Sequence, residues 1–126
     1  LMVSGMEDRL VQVFRNLITN AVSFSPPNTA NGGATINLTA YRDGDFVTAT
    51  VQDQGPGIPE GKERDIFNRF YTERPESEAF GRHSGLGLAI SKQIVEAHGG
   101  AIHAETIRDA ASRPLGARFT VRLPVA

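Results

Sequence analysis

Three short stretches carry residue types able to do chemistry. The first is Gly85-Leu86-Gly87-Leu88, opening a predicted helix directly after a polar loop over 72–84. Paired glycines at a helix start leave backbone N–H groups unshielded, and the positive helix end favours a bulky anion such as phosphate. The second is Asp53-Gln54-Gly55-Pro56-Gly57, where a strand ends in a carboxylate followed by two glycines. The third is the pair Asn16 and Asn20, spaced i, i+4 and so stacked on one helix face. An anion seat, a carboxylate beside glycines and two neutral amide oxygens together point to a nucleotide pocket.

Each stretch has a plainer reading beside the chemical one. Asp53 is in phase with Val47, Ala49 and Val51, so the strand period aims it at the helix-covered face, where a carboxylate needs donors. It either caps the turn that follows or accepts a hydrogen bond from a ligand amine such as that of adenine. Gly55 and Gly57 would then let a flat base approach the backbone. Asn16 and Asn20 are either solvated or offer hard, neutral oxygens to Mg²⁺, which usually keeps water and phosphate oxygens as further ligands. The loop 72–84 is either a surface connection or a lid over phosphates, with Arg69, Arg74 and Arg82 as candidate phosphate contacts. His83, His98 and His103 share no metal-ligand spacing. His98 reads as a C-terminal helix residue, and no Ser/His/Asp nucleophile set is present.

The elements that must position these residues follow from periodicity. Residues 7–24 read as a helix with Leu10, Phe14, Leu17, Ile18 and Ala21 on one stripe, and Gln12, Asn16, Asn20 and Ser23 on nearly the opposite side. Pro26-Pro27 ends it, and 28–33 is loop. Residues 35–41 alternate, with Ile36, Leu38 and Ala40 on one face; Asp43-Gly44 signals a turn; residues 46–53 alternate again. An antiparallel hairpin is expected. Gly55-Pro56-Gly57-Ile58-Pro59 breaks the strand, and a short helix is predicted over 60–70 with Ile66, Phe67 and Phe70 apolar. The next helix, 86–98, places Leu86, Ile90, Ile94 and Ala97 on a stripe and stops at Gly99-Gly100. Strands over 101–107 and 117–123 close the chain, joined by a hairpin connection over 108–116. Leu1-Met2-Val3 reads as the end of a strand whose beginning is missing.

Composition narrows the class. The 126 residues fit a single domain over 1–126, and 13 basic against 14 acidic residues give no electrostatic case for a nucleic-acid or membrane surface. Cysteine is absent, which removes disulfides and thiolate metal sites and suits a reducing compartment. No apolar run approaches the ~20 residues of a membrane span, and no signal-peptide pattern or internal repeat is seen.

In order, Asn16-Leu17-Ile18-Thr19-Asn20-Ala21, Asp53-Gln54-Gly55-Pro56-Gly57-Ile58, Ile66-Phe67-Asn68-Arg69-Phe70-Tyr71 and Ser84-Gly85-Leu86-Gly87-Leu88-Ala89-Ile90 resemble the N, G1, F and G2 boxes of bacterial sensor histidine kinases. Gly116-Ala117-Arg118-Phe119 followed by Leu123-Pro124 resembles their closing segment. More loosely, 71–75 and 91–100 look like alphaproteobacterial envelope-stress sensor kinases. The resemblance implies an α+β fold, the two-layer α/β sandwich of Bergerat-type ATP-binding domains shared with gyrase-, Hsp90- and MutL-like ATPases. Its mixed, mostly antiparallel sheet is covered on one face by three helices.

The resemblance also implies ATP and Mg²⁺ as cofactors. Asn20 would ligate the metal, with Asn16 assisting or contacting phosphate. Asp53 would receive the adenine amine, with Gly55, Gly57 and Ile58 shaping the base pocket. A lid over about 71–86 would carry Tyr71, Ser84, Gly85 and Leu86 toward the nucleotide, flanked by Phe70, Gly87 and Leu88. Phe24 stands where Tyr is common and Ser23 where Lys is common, departures that could weaken ATP binding; Ala117 replaces a common Thr. Hydrolysing relatives carry Glu at the Asn16 position, and an amide cannot serve as a base near neutral pH, so holding ATP for phosphoryl transfer is favoured over hydrolysis. The acceptor would be a histidine on a separate dimerisation domain, with onward transfer to a response regulator. The parent would be a homodimeric, membrane-anchored kinase with this domain in the cytoplasm. Two alternatives are an ATP-hydrolysing enzyme of the same superfamily and a degenerate interaction module that binds no nucleotide.

Overall fold

The computed structural model describes residues 3, 5–24, 35–68 and 87–125. Helix α1 spans Glu7–Phe24, with Glu7 and Asp8 in its first turn where the helix dipole favours negative charge. Val13, Leu17 and Ala21, each four residues apart, form its fully buried seam, with Leu10, Phe14 and Ile18 half-buried beside it. Val13 leads a seam that was expected to run through Leu10 and Phe14. Gln12, Asn16 and Asn20 differ from expectation too: they are half-buried, and the exposed face carries Val11, Arg15 and Thr19 instead. The period explains it, because three residues turn a helix to within about 60° of the start, so Asn16 flanks Val13.

Strands β1 (Asn37–Asp43) and β2 (Phe46–Gln52) form the expected hairpin, with Asp43 opposite Phe46 and Gly44 at φ +63° in the turn. The expected burial of one β1 face is not found. Leu38 stands across from the buried Val51 yet is 58% exposed. The reason is position: β1 is an edge of the sheet, and the helices pack over β2, β4 and β3.

Gln52 is followed by the turn from Asp53 to Ile58. Where a helix was predicted over 60–70, the described residues hold a single 3-10 turn, Asp65–Phe67. Gly61 sits at φ +79°, a left-handed conformation that interrupts any helix begun at 60. Ile66 and Phe67 still reach the core, Phe67 meeting Phe119 edge-to-face at 6.1 Å between centroids.

Helix α2 spans Gly87–Ala97 and stops as expected, with Gly99 at φ +77° and the Gly100 N–H donating to Val95 O. Its buried residues are Ala89, Ser91, Ile94 and Val95. The predicted stripe is therefore rotated: Ile94 is right, Ile90 is half-buried, Ala97 is exposed, and Leu86 lies outside the described residues. Strands β3 (Ala101–Arg108) and β4 (Pro114–Pro124) complete an antiparallel sheet of order β1-β2-β4-β3. β4 begins three residues earlier than predicted, because Asp109 Oδ1 accepts the N–H groups of Ala111 and Arg113 and folds the connection tightly. Val3 makes an isolated antiparallel bridge to Val125. The described residues thus form an α+β two-layer sandwich with two α-helices and one 3-10 turn where three helices were expected.

Candidate functional site

Asp53 is 2% exposed, at the point where β2 leaves the sheet. Its backbone N–H donates to Ala117 O, and its Oδ1 accepts from Gly55 N and Ala117 N, each at 2.9 Å. This is the capping reading, and it accounts for one oxygen. Among the described residues Oδ2 accepts no hydrogen bond. Both readings are therefore compatible, since one oxygen builds the turn and the other is available to a donor from outside the protein. Oδ2 is not one of the buried atoms left without a partner, so it is the part of this otherwise buried side chain that a donor can reach.

The glycines beside it are there for approach. Gly55 is buried, and Gly57 adopts φ +86°. A Cβ on Gly57 would lie 2.6 Å from Thr106 Cγ2. At the far end of the turn, Thr106 Oγ1 accepts from Ile58 N at 2.9 Å and donates to Ile58 O at 3.3 Å. A Cβ on Gly116 would collide with the Asp53 carbonyl oxygen. Asp53, Gly55, Gly57 and Ile58 are thus brought into one compact turn held against β3 and β4.

The second cluster lies between the helices. Asn16 Nδ2 donates to Gly87 O at 3.2 Å and to Ser91 Oγ at 3.3 Å, while Ser91 Oγ donates to Gly87 O at 2.9 Å. A carbonyl acceptor fixes which way the amide points: Nδ2 must face Gly87 O, so Oδ1 is turned away from α2. Asn20 follows one turn later on the same half-buried flank. Gly87 and Leu88 are half-buried in the first turn of α2. No group of three or more His, Cys, Asp or Glu gathers among the described residues. Neutral amide oxygens fit Mg²⁺ when phosphate oxygens arrive with it, and they fit poorly a metal held by protein charge alone.

His98 is occupied elsewhere. Its Nε2 accepts from Met6 N at 3.0 Å and its Nδ1 is bonded to Ile94 O at 2.7 Å, so both ring nitrogens are used at the C-terminal end of α2. Arg69, Phe70, Tyr71, Arg74, Arg82, Ser84, Gly85, Leu86 and the lid over 71–86 lie outside the described residues, as does the side chain of Phe24. Residue reading missed Thr106, Ser91 and the contact made by Gly116. Thr106 carried a usable signal, standing at an inward position of β3 beside the closing segment.

A turn anchored to β3 and β4 and a helix pair joined through Asn16 belong to one two-layer α/β sandwich, and that is the class of fold the chain adopts. The comparisons fix the family. Residues 5–126 match the histidine kinase-, DNA gyrase B-, and HSP90-like ATPase family, and the chain belongs to it. It is 51% identical over 122 residues to the sensor protein ChvG of Rhizobium meliloti, covering 97% of this chain and 20% of that protein. Among solved structures it is similar to the mycobacterial sensor histidine kinase MprB, with a TM-score of 0.80, 34% identity, and coverage of 97% of this chain and 74% of that one. Full-length ShkA in complex with AMPPNP gives a TM-score of 0.76 at 30% identity, with 98% of this chain and 23% of that one covered. The chain spans about a fifth of the length of the curated ChvG relatives it matches. It is the ATPase-family catalytic domain found in sensor histidine kinases.

Proposed function

We propose that this domain holds Mg-ATP and presents the γ-phosphate for transfer to a histidine on a separate dimerisation domain, with onward transfer to a response-regulator aspartate. The observation that carries the reading is the divided use of Asp53, one oxygen locked by backbone N–H groups and the other open beside two glycines. Asp53 Oδ2 accepts the adenine amine, and Gly55, Gly57 and Ile58 form the wall against which the base lies. AMPPNP in the ShkA complex supports a nucleotide of this type.

At the other end, Asn20 and the outward Oδ1 of Asn16 would hold Mg²⁺, which would screen the charge of the phosphates. Asn16 cannot take a proton from water, so the arrangement suits transfer rather than hydrolysis. Gly87 and Leu88 begin the helix whose positive end faces the phosphates. By resemblance, Phe24, Phe70, Tyr71, Ser84, Gly85 and Leu86 complete the pocket, and Arg69, Arg74 and Arg82 contact phosphate. The parent is proposed as a homodimeric, membrane-anchored kinase with this domain, residues 1–126, in the cytoplasm. Among the described residues no helix is long and apolar enough to cross a membrane.

Calorimetric titration of Mg-ADP tests the reading: wild type binds, and absence of binding at millimolar nucleotide sinks it. Incubation with labelled ATP tests the division of labour. The chain alone should acquire no stable phosphohistidine, and label on His83, His98 or His103 would overturn that.

A further inference from the structure

We infer that Thr106 is a positioning residue for nucleotide recognition, a role that rests on the Mg-ATP reading above. It acts by pinning the far end of the Asp53–Ile58 turn. Thr106 lies on β3 directly across from Ala117 of β4, the residue whose N–H holds Asp53 Oδ1. Adjacent strands therefore grip opposite ends of one turn, Ala117 at Asp53 and Thr106 at Ile58. A turn tied at one end can pivot about it. The second tie removes that freedom, and with it the entropy cost of fixing Gly55 and Gly57 when a base arrives.

A β-branched residue in a strand is ordinary, and Val would meet that need equally well. Thr106 does more. Its single hydroxyl is used in both directions, accepting from Ile58 N and donating to Ile58 O. Its methyl occupies the space where Gly57 lacks a side chain, and Gly57 sits at φ +86°, a conformation glycine favours. The fit between a hydroxyl on one strand, a main-chain pair at Ile58 and a missing Cβ at Gly57 is the signature of a positioned turn.

The experiment is a Mg-ADP titration of the chain with Thr106→Val and Thr106→Ser, alongside amide hydrogen exchange at Ile58. Thr106→Val should bind roughly five- to tenfold more weakly, as expected for losing a pair of part-buried hydrogen bonds. Its Ile58 amide should exchange faster while amides of β2 and β4 stay protected. Thr106→Ser keeps the hydroxyl and should bind within about twofold of wild type. A purely structural role would lower the melting temperature of Thr106→Val and leave its affinity for ADP unchanged, which overturns the inference. Should Thr106→Val fail to fold, Thr106→Cys replaces it, with the size of Ser and a weaker hydrogen bond. Equal ADP affinities for Thr106→Ser and Thr106→Cys then overturn the inference. A wild type that binds no ADP removes the nucleotide reading and this role together; a wild type that binds, with a valine variant that binds equally, removes this role alone.

Discussion

The two ends of the candidate site are built by different means. At the base end the turn after β2 is tied by main-chain N–H groups at 2.9 Å, and two glycines admit contacts that any side chain would block. At the helix end the side-chain amide of Asn16 spans α1 and α2 among the described residues, at 3.2 and 3.3 Å. The sheet therefore fixes the base end before any ligand arrives, whereas the helix end depends on how α1 and α2 are set against each other. On the proposed function, such a domain would hold the base in a constant place while its helix end answered to a metal or a partner.

The largest expected effect follows from breaking the base end at its carboxylate. Asp53→Asn either loses an acceptor for the two N–H groups or presents an amide donor to the ligand amine. Mg-ADP affinity should fall on the order of 100-fold, about 3 kcal/mol, because a buried donor facing a donor is unsatisfied on both sides. Calorimetry reads it directly; a change under threefold would remove Asp53 from base recognition.

Gly116→Ala attacks the same end from below. The added methyl meets the Asp53 carbonyl oxygen, and main chain cannot move aside as a flexible side chain can. A loss of about 2–3 kcal/mol in urea unfolding is expected, typical of overpacking at a tight site. Wild-type stability in this variant would show that the close approach of β4 to Asp53 is relaxed in solution.

Much of this was legible in the chain, and the illegible parts have identifiable causes. Asp53 was readable because a strand period of two places it on the face of Val51, and burial bears that out. The helices were readable from their stops, Gly99 above all. The phase of α2 was missed because Ser91 looks like a surface residue; its hydroxyl is satisfied by Gly87 O and by Asn16, so it is buried without cost. The predicted helix at 60–70 gave way to the left-handed Gly61, a backbone choice that apolar spacing does not report. The role of Thr106 was missed for a third reason, although its inward position on β3 could be read. Its partner is the main chain of Ile58, and main-chain partners leave no pattern in side-chain types.

A smaller effect should separate the two ends. Asn16→Ala removes the donors to Gly87 O and Ser91 Oγ along with the outward oxygen. Stability should fall by about 1 kcal/mol, the usual net value of a side-chain hydrogen bond. Affinity for ADP measured in EDTA should change little, whereas the gain in affinity on adding Mg²⁺ should shrink several-fold. If both affinities fall by the same factor, Asn16 holds the helices together and the metal is held elsewhere.

The smallest effect is expected at His98, and it tests whether the helix end is independent of where the chain enters α1. His98 joins the C-terminal end of α2 to Met6, ahead of α1, while Asn16 joins the same two helices at the other end of α2. His98→Phe preserves a ring against Gly5 and deletes both hydrogen bonds, one of them exposed. A loss of about 0.5–1 kcal/mol in unfolding free energy is expected, with ADP affinity unchanged. A drop in the Mg²⁺-dependent part of ADP affinity would show that the α1–α2 pair responds as one rigid body. The amide contact at Asn16 would then be set in part by the chain entering at Gly5 and Met6, and the contrast between a fixed base end and an adjustable helix end would sharpen.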